Sequence, residues 1–293
     1  MTVLVLGGTR YMGTHLVRKL ISDGHDVTIA TRGNTKDAFG DKVKRIIVDR
    51  RDPAGLCEVF KGKQYDVTID NLAYSSNEVK ILLDVLDTKK YVMTSTCSVY
   101  ADNFHENMHE SEMDTAAIPL KWCNHDEFPY DEVKRQAEAA LFQAFRGQQA
   151  VAVRFPFIFG KDDYTKRLYF YVEHILNERV MYIDNLSARL SFIESDEAGQ
   201  FLSHVATEPV FGPINAGSHG TVSIEEMIDY VEKRTSKKAI IAASGAAAPF
   251  NETPSFSLDT AKAEQAGFKF RHINDWVYPL IDFWISEFKG GKA

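Results

Sequence analysis

Short apolar runs alternate with segments of helical periodicity over the first hundred residues. Each run of β-branched and aliphatic residues predicts a strand, and the segments between them repeat apolar positions every three or four residues, as amphipathic helices do. The predicted strands are 2–6, 26–31, 43–49, 65–70 and 91–95. Strands that alternate with helices in this way predict an α/β fold built on a doubly wound parallel sheet.

After residue 161 the pattern changes and predicts a smaller α/β lobe. We predict that residues 1–161 form the sheet domain, that segments near 186–220 return to it, and that 162–185 and 221–293 form the lobe. Helical periodicity marks the longer pieces of this second half and short apolar runs mark its strands. The predicted helices are 164–176, 224–231 and 276–288, and the predicted strands are 180–183 and 189–193.

Composition and charge exclude several classes of protein. Hydrophobic residues are 44% and charged residues 26% of the 293, as in globular proteins, and no apolar run approaches the ~18 residues of a membrane span. The net charge of −7 argues against a nucleic-acid surface. Cys57, Cys97 and Cys123 show no metal-ligand spacing and fit a reducing cytosol, and the chain starts on a core strand without a secretion signal. We therefore expect a cytoplasmic protein with no metal site and no membrane partner.

A glycine turn follows the first predicted strand. Residues 7–13 read Gly-Gly-Thr-Arg-Tyr-Met-Gly and lead into helical spacing. Strand, glycine turn and helix form the phosphate-binding unit of dinucleotide folds, so we expect Gly7 to allow the turn, Gly8 to leave room for a pyrophosphate, and Gly13 to let the helix pack close to the strand. The helix N-terminus then offers unpaired N–H groups to the phosphates. A tight turn without a ligand is the alternative.

The end of the second predicted strand favours NADP over NAD. In folds of this kind an acidic residue at that position accepts a hydrogen bond from the ribose 2′-OH of NAD. Here the strand ends Thr31-Arg32-Gly33, without a carboxylate, and the planar guanidinium of Arg32 suits the 2′-phosphate of NADP. Arg10, inside the glycine turn, is long enough to reach the same phosphate. A solvated loop arginine is the alternative for Arg32.

Two further strand ends indicate the same cleft. Asp49 ends the third predicted strand, where the amino group of an adenine is a suitable partner, and a helix N-cap at Asp52 is an equal alternative. Ala73 follows the fourth strand and is small enough for the backbone to lie along a cofactor. Because ligands of doubly wound sheets bind beyond the carboxyl ends of the strands, these positions, the glycine turn and Thr96 are expected to converge on one site.

A helix that starts after Pro129 carries candidate acid–base residues. Its composition favours helix over 130–142, and Tyr130 and Lys134, four residues apart, project from one face. A nearby ammonium stabilises a phenolate, so we expect Lys134 to lower the pKa of Tyr130 from its ordinary value near 10. With a Thr96 hydroxyl to polarise a substrate oxygen, these groups suffice to move a proton while a hydride passes to or from nicotinamide. A surface Tyr–Lys pair is the alternative.

Together these motifs resemble the extended and atypical short-chain dehydrogenases/reductases of the NAD(P)-dependent epimerase/dehydratase family. The glycine turn is similar to the family's G-x-x-G-x-x-G loop, with Arg10 at the middle glycine as in a Gly-Gly-Thr-Arg subgroup that includes chloroplast stem-loop RNA-binding proteins. Three further segments resemble the family's catalytic Ser/Thr segment, its Tyr-x-x-x-Lys motif and its R-P-x-x-x-x-G stretch, namely 95–100, 130–134 and 154–160. The likeness continues through 190–198, 213–217, 222–226 and 257–262.

The resemblance implies a Rossmann-like fold, a cofactor, and a set of site residues. Thr96, Tyr130 and Lys134 are the implied catalytic residues, and NADP is the expected cofactor, with NAD the weaker alternative. The predicted cofactor-binding residues are Gly7, Thr9, Arg10, Tyr11, Met12, Gly13, Arg32, Asp49, Arg50, Leu72, Ala73, Tyr74, Ser95, Tyr130, Lys134, Pro156 and Ile158. Ser98, Arg167 and Arg189 are the candidate substrate contacts, with lobe packing or an ordinary surface position as the alternative for the arginines.

The implied function is that of an NAD(P)-dependent oxidoreductase or isomerase. It would transfer a hydride reversibly at a secondary alcohol or ketone of a small molecule such as a sugar or sugar nucleotide. Cys97 and Ser98 stand where the family's dehydratases carry an Asp-Glu pair, which disfavours sugar dehydration. The alternative is a non-catalytic nucleotide-responsive or RNA-associated binding protein on the same fold. We expect a monomer or a homodimer, with the polar segment 101–128 as a lid or substrate loop.

Overall fold

Strands and helices alternate along most of the chain. The structure, a computed structural model, describes residues 1–291. Its strands are β1 Thr2–Leu6, β2 Asp26–Thr31, β3 Val43–Ile47, β4 Gln64–Asp70, β5 Asp87–Thr96, β6 Gln149–Phe155, β7 Phe157–Phe159, β8 Val180–Tyr182, β9 Arg189–Leu190, β10 Phe192–Glu194, β11 Gly212–Asn215, β12 Val222–Ser223, β13 Ile240–Ile241 and β14 Ala246–Ala247. Its helices are α1 Met12–Ser22, α2 Pro53–Phe60, α3 Ser76–Leu83, α4 Tyr130–Ala139, α5 Arg167–Leu176, α6 Ser195–Thr207, α7 Ile224–Thr235, α8 Ala261–Gln265 and α9 Val277–Lys289.

Seven strands form one parallel sheet, which confirms the predicted fold class. Their order is β11-β6-β5-β4-β1-β2-β3. Strand β1 pairs with β2 on one side and β4 on the other, with Val3 opposite Val27 and Val67. The direction of winding therefore reverses at β1. Ligands of doubly wound sheets bind at such a switch point, beyond the carboxyl ends of the strands, so the sheet places a cleft at the end of β1.

Apolar layers cover both faces of the sheet, and a third core lies outside it. Helices α1 and α6 close one face, with Leu16 and Phe201 buried between them and the strands. Helices α2, α3 and α4 close the other face, where Leu82 and Leu141 are buried. The third core joins α5, α7 and α9 around residues such as Tyr171. Among residues 1–291, no helix combines the length and the apolarity that crossing a bilayer requires.

The second half of the chain contributes to the large sheet as well as to the third core. Strand β11 pairs with β6, and α6 packs across α1. Ala263 of α8 and Phe270 also lie in the apolar layer beneath α1 and α6, although they fall within the predicted lobe. The division into a sheet domain and a substrate lobe at residues 161, 186 and 221 stays a prediction.

The start of α5 differs from the sequence-based expectation. Helical periodicity predicts a start at Tyr164, but α5 begins at Arg167. Asp163 Oδ1 accepts hydrogen bonds from the backbone N–H and the hydroxyl of Thr165, which closes a turn there. Lys166 then has a left-handed backbone (φ 54°), which a continuous helix does not tolerate. The aromatic spacing at Tyr164 therefore does not belong to an additional helical turn.

Two other predicted elements are divided in the structure. The predicted strand 189–193 is two short strands, because β9 pairs with β12 while β10 pairs with β7. The predicted helix 130–142 is regular as far as Ala139 and continues as a π-helical turn over Ala140–Ala144. The alternative helix-capping role of Asp52 is confirmed, since its side chain accepts from Ala54 N–H at the start of α2.

The long segment 101–128 packs beside helices and also contacts the ends of two strands: Asn215, the last residue of β11, donates to Glu110 and Met108, and Arg154 of β6 donates to the carbonyl of Glu110. Ser76 Oγ donates to the Lys121 carbonyl at 2.8 Å, and Lys121 N–H donates to Gln136 Oε1 at 2.6 Å, so the segment bridges α3 and α4. Cys123 is fully buried in this contact. No residue of 101–128 lines either cavity described below, among residues 1–291. The expectation of a lid or substrate loop stays a prediction.

Candidate functional site

The glycine turn at the end of β1 has the backbone that a dinucleotide fold requires, with one difference from expectation. Gly7 and Gly8 both have positive φ (89° and 100°), a region that side chains disfavour. A Cβ on Gly13 would lie 2.8 Å from Gly8 Cα, so α1 does pack closely on the turn. A Cβ on Gly8 would instead lie 2.9 Å from Val17 Cγ2. Gly8 thus makes room for the core beneath α1 and does not primarily make room for a ligand.

A cleft of about 500 Å³ opens above this turn. Its volume lies within the range of small-molecule sites, about 300–1,000 Å³. Its wall includes many of the residues predicted to bind a cofactor: Gly7, Thr9, Arg10, Tyr11, Met12, Gly13, Arg32, Asp49, Arg50, Leu72 and Tyr74. The cleft therefore fits an extended dinucleotide with its pyrophosphate at the N-terminus of α1. The role of each residue stays a prediction.

Two arginines and no acidic residue lie where the second strand ends. Thr31 occupies the last position of β2, and Arg32 follows it, exposed at the wall of the cleft. Arg10 extends from the glycine turn toward the same wall, where its Nε donates to Thr35 Oγ1 at 3.0 Å. Both guanidinium groups thus border the region in which a ribose 2′-substituent would lie. Such a region favours an anionic group over a neutral hydroxyl.

The floor of the cleft is held by a buried ion pair. Arg50 Nη1 lies 2.6 Å from Asp70 Oδ1, and Tyr91 donates its hydroxyl to Asp70 Oδ2 at 2.7 Å. Asp70 also accepts from Leu72 N–H at 2.9 Å, which fixes the chain as it leaves β4. Arg50 therefore lines the cleft while the carboxylate of Asp70 neutralises its charge. Asp49 accepts from the N–H of the second residue after it, which leaves its other oxygen at the cleft wall.

The three predicted catalytic residues lie together behind Tyr74, which lines the cleft, although none of the three lines the cleft itself. Tyr130 opens α4 and is half exposed, and Thr96 ends β5 beside it. Lys134, one turn further along α4, is buried and donates to the carbonyl oxygens of Ala73 (2.8 Å) and Thr94 (2.7 Å). The ring of Tyr74 lies between the dinucleotide cleft and these residues. Its centroid is 5.9 Å from that of Tyr130 and 5.4 Å from Lys134 Nζ.

The electrostatics of this pair differ from the sequence-based expectation. Burial raises the pKa of Tyr130 above its ordinary value, Tyr74 raises it further, and a hydrogen bond with Thr96 lowers it. Burial lowers the pKa of Lys134 to about 8. The predicted lowering of the Tyr130 pKa by Lys134 is therefore wrong in this structure. The reason is geometric, because the ammonium is directed to two backbone carbonyls, while the phenol has lost part of its hydration.

Several predicted contacts are engaged elsewhere. Ser95 is buried and donates its hydroxyl to Glu138 of α4 at 2.5 Å, so this hydroxyl already has a partner within the protein, and the role of Ser95 in cofactor binding stays a prediction. Arg189 is held by Glu226 (3.1 Å) and by the Thr221 side chain (3.0 Å), which makes it a packing residue and not a free anion ligand. Pro156 is buried and lines neither cavity.

Two predicted substrate contacts do lie near the reaction end. The Ser98 hydroxyl accepts from Thr96 Oγ1 at 3.2 Å. Arg167, the first residue of α5, donates to the Ile158 carbonyl at 3.2 Å, and its guanidinium packs 5.7 Å from the ring of Phe157. The Ile158 carbonyl also accepts from the Tyr11 hydroxyl, so this part of the lobe is joined to the glycine turn. Arg167 is thus placed to meet a ligand, whereas Arg189 is not.

Sequence patterns missed three groups of residues around the site. Glu138 and Arg154 form a fully buried ion pair beneath the catalytic helix. Tyr164 stands exposed at the cleft, in the loop before α5. His15 joins α1 to Asp162 at 3.0 Å, beside a second cavity of about 610 Å³. The partners of these residues are more than ten residues away in sequence, so local spacing cannot predict the contacts.

Comparisons with known proteins agree with this geometry. A model of the NAD dependent epimerase/dehydratase family matches residues 3–83 and 71–217. The chain is 30% identical over 112 residues to chloroplast stem-loop binding protein of 41 kDa b from Arabidopsis thaliana, which covers 33% of this chain and 30% of that protein. It is 27% identical over 192 residues to putative UDP-arabinose 4-epimerase 4 of the same plant, covering 55% of this chain and 42% of that protein. The chain thus spans less than half the length of these curated relatives.

Among solved structures, a UDP-glucose 4-epimerase from Thermotoga maritima, crystallised with UDP-glucose, superposes with a TM-score of 0.77. The alignment covers 100% of both chains at 16% sequence identity. At this identity the likeness establishes the fold alone.

Proposed function

The chain belongs to the NAD-dependent epimerase/dehydratase family, and from this membership we propose that it transfers a hydride reversibly at a secondary alcohol or ketone of a sugar-nucleotide-like substrate. The observation that supports the proposal is that Tyr130 and Lys134 of α4, with Thr96 at the end of β5, lie beside Tyr74, a residue of the cleft wall. Net epimerisation and net oxidoreduction both use these groups. The names of the epimerase relatives favour epimerisation at a sugar carbon.

Each of the three residues has a definite task in this chemistry. A bound nicotinamide dinucleotide would supply the acceptor and donor of the hydride. Tyr130, once ionised to the phenolate, takes the hydroxyl proton of the substrate as the substrate carbon is oxidised, and the resulting phenol returns that proton on reduction. Thr96, at the end of β5, orients the substrate oxygen with its hydroxyl. Lys134 lies one helical turn below and holds the backbone at Ala73 and Thr94, against which the nicotinamide ribose would lie.

We further propose NADP as the preferred cofactor, with NAD as the alternative named in the family description. The support is local: β2 ends at Thr31 without a carboxylate, and Arg32 and Arg10 border the same region. Guanidinium groups pair well with a phosphate and gain little from a ribose hydroxyl.

Titration with NADPH and NADH, followed by nicotinamide fluorescence, tests the cofactor proposal. We expect tighter binding of NADPH, and a loss of about 10- to 100-fold in NADPH affinity for Arg32→Ala, because charged hydrogen bonds contribute about 1.5–3 kcal/mol. NADH affinity should change little in that variant. Lys36→Ala is the control, since Lys36 is exposed on the same loop but does not line the cleft. Equal binding of the two cofactors by the wild type would overturn the NADP preference.

The substrate proposal has a direct assay. The protein, loaded with its preferred cofactor, is incubated with UDP-glucose and with UDP-arabinose, and the products are separated by chromatography. Conversion of either sugar nucleotide to its C4 epimer, without net reduction of the cofactor, would support epimerisation. Stoichiometric change of the cofactor would instead indicate net oxidoreduction. Binding of the cofactor without any turnover of a sugar nucleotide or a simple ketone would overturn the catalytic proposal.

One observation favours a second candidate function, that of an RNA-associated protein. The match to a chloroplast stem-loop binding protein extends over a third of the chain. The net charge of −7 opposes it, because RNA binding relies on cationic contacts with phosphates. A gel-shift titration with stem-loop RNA at low and high salt decides between them. Salt-sensitive binding at micromolar protein would support this candidate, and its absence would remove it.

A further inference from the structure

An exposed tyrosine outside the predicted site separates two cavities. Tyr164 is 65% exposed and lies in the loop between β7 and α5. It lines both the dinucleotide cleft and the second cavity, together with Thr9, Arg10 and Tyr11. Its ring meets that of Tyr11 edge-on, with centroids 5.9 Å apart. Tyr164 therefore stands directly above the turn that would hold a pyrophosphate.

The loop that carries Tyr164 is braced on both sides. Before it, Asp162 accepts from Ser195 Oγ at 2.8 Å and lies 3.0 Å from His15 Nε2. After it, Asp163 is buried and closes a turn with Thr165. An exposed aromatic side chain on a fixed backbone can bind a ligand at a small entropic cost, because it loses little conformational freedom on binding.

Arg10 approaches the same tyrosine from the glycine turn. Its guanidinium carbon lies 6.0 Å from the centroid of the Tyr164 ring, within reach of a cation–π contact. Its Nε donates to Thr35 Oγ1 on the far wall. Arg10 therefore spans the mouth of the cleft, from the loop after β2 to Tyr164. These two contacts explain physically why an arginine can stand at the position where the family's loop has its middle glycine.

We propose that Arg10 and Tyr164 form a clasp that retains the bound dinucleotide between hydride transfers. The inference rests on the proposed function, since it requires a dinucleotide in the cleft. The guanidinium is a cation and the phenol a hydrogen-bond donor, and both face the place of the phosphates. Retention suits epimerisation, in which the hydride taken from the substrate carbon returns to that same carbon and no second redox partner takes part. A reductase would need to exchange its cofactor at every turnover.

Dissociation rates test the clasp. The full-length protein is loaded with NADPH, or with NADH if that binds more tightly, and release is followed by stopped-flow fluorescence after mixing with an excess of the oxidised form. We expect Tyr164→Ala and Arg10→Met each to accelerate release about tenfold, and the double variant to release no more than about threefold faster than either, because the two side chains act as one unit. Tyr164→Phe keeps the ring and should accelerate release less than Tyr164→Ala.

Tyr182→Ala is the matched control, since Tyr182 is 39% exposed on β8 and lines neither cavity. An unchanged thermal midpoint of Tyr164→Ala without cofactor would show that its fold is intact. Release from Tyr164→Ala within twofold of the wild-type rate would overturn the clasp while leaving dinucleotide binding in place. If the wild type binds neither NADPH nor NADH, the proposed function itself fails, and the clasp fails with it.

Discussion

Tyr130 is the side chain on which the proposed chemistry depends most. We expect Tyr130→Phe to lower turnover on an identified substrate by about 100- to 10,000-fold, because it removes the only atom of that side chain able to exchange a proton. Cofactor affinity should change by less than about threefold, since the substitution removes no charge. Steady-state kinetics and a cofactor titration on the same preparation measure both quantities.

Tyr182→Phe provides the control, because it removes an equivalent hydroxyl on β8, away from both cavities. Full turnover by Tyr130→Phe would show that another group exchanges the proton. A parallel loss of cofactor affinity would show instead that the hydroxyl mainly maintains the shape of the cleft.

Buried Lys134 leads to a prediction about stability and pH. Burial lowers the pKa of Lys134 and of Lys90 to about 8, below the unfolded value of about 10.4. Between these values the unfolded chain binds more protons than the folded one. The free energy of unfolding should therefore rise with pH from 8 upward, by up to about 1.4 kcal/mol per pH unit for each lysine.

Urea unfolding between pH 7.5 and 9.5 checks this rise. Lys134→Met should show a smaller slope than the wild type, since Lys134 no longer contributes while Lys90 and Lys262, whose pKa values are also lowered by burial, still do. Lys44→Met is the control, because Lys44 is exposed and paired with Asp26 at the surface, and it should keep the wild-type slope. An undiminished slope in Lys134→Met would mean that the ammonium is better solvated than its two carbonyl contacts indicate.

At the scale of residues, spacing identifies the right types of group but not where they are directed. The four-residue interval predicts that Tyr130 and Lys134 share a face of α4, as they do. It gives no sign that Lys134 donates to the carbonyls of Ala73 and Thr94, because those partners come from other strands. Spacing likewise gives no sign that the hydroxyl of Ser95 donates to Glu138 of α4.

The catalytic helix is fixed to the sheet by a pair that sequence patterns do not reveal. Arg154 Nη2 of β6 lies 2.6 Å from Glu138 Oε2 of α4, and both side chains are fully buried. Ser95 and Thr115 also donate to Glu138. This network lies one turn beyond Lys134, so it sets the angle at which α4 presents its first residue to the cleft.

Breaking this pair should therefore destabilise the protein strongly. We expect Glu138→Gln to lower the free energy of unfolding by about 3–5 kcal/mol, because it leaves a buried guanidinium without a counter-charge. Glu132→Gln, on an outer position of the same helix, should cost less than about 1 kcal/mol. Chemical denaturation of both variants at one pH gives the comparison. A decrease of less than about 1 kcal/mol in the free energy of unfolding of Glu138→Gln would show that water stabilises the charge of Arg154 in place of the carboxylate.

At the scale of elements, hydrophobic periodicity predicts well which segments form helices or strands, and predicts less well the residues at which they begin and end. The early strands are where their apolar runs place them, since central strands of a parallel sheet are buried on both faces. The start of α5 is misplaced because Asp163 and Lys166 impose a turn that aromatic spacing does not reveal. The contacts of segment 101–128 are not predicted either, because polar composition cannot indicate that Ser76 and Gln136 bind its backbone.

For the whole molecule, the alternation of strands and helices determines the topology, and the topology determines the site. The switch point at β1 follows from the strand order, which brings the glycine turn, the end of β2 and the end of β4 to one edge. Long-range pairs such as His15 with Asp162 join the first helix to the second half of the chain. Such contacts connect residues far apart in sequence, and only the folded chain shows them.

The burial of α4 within one chain leads to a prediction of oligomeric state. Every residue from Val133 to Leu141 is buried, and Gln143 donates to the carbonyls of Thr115 and Ile118 on the covering segment. The helix thus has no open face for a partner, and we expect light scattering to give a monomer of 33.1 kDa at micromolar concentration. A Gln136→Ala/Gln143→Ala double variant should loosen the segment, so that proteases cut within 115–123 while the wild type resists. A wild-type dimer that protects 115–123 further would contradict this account, because that segment itself would then form the interface.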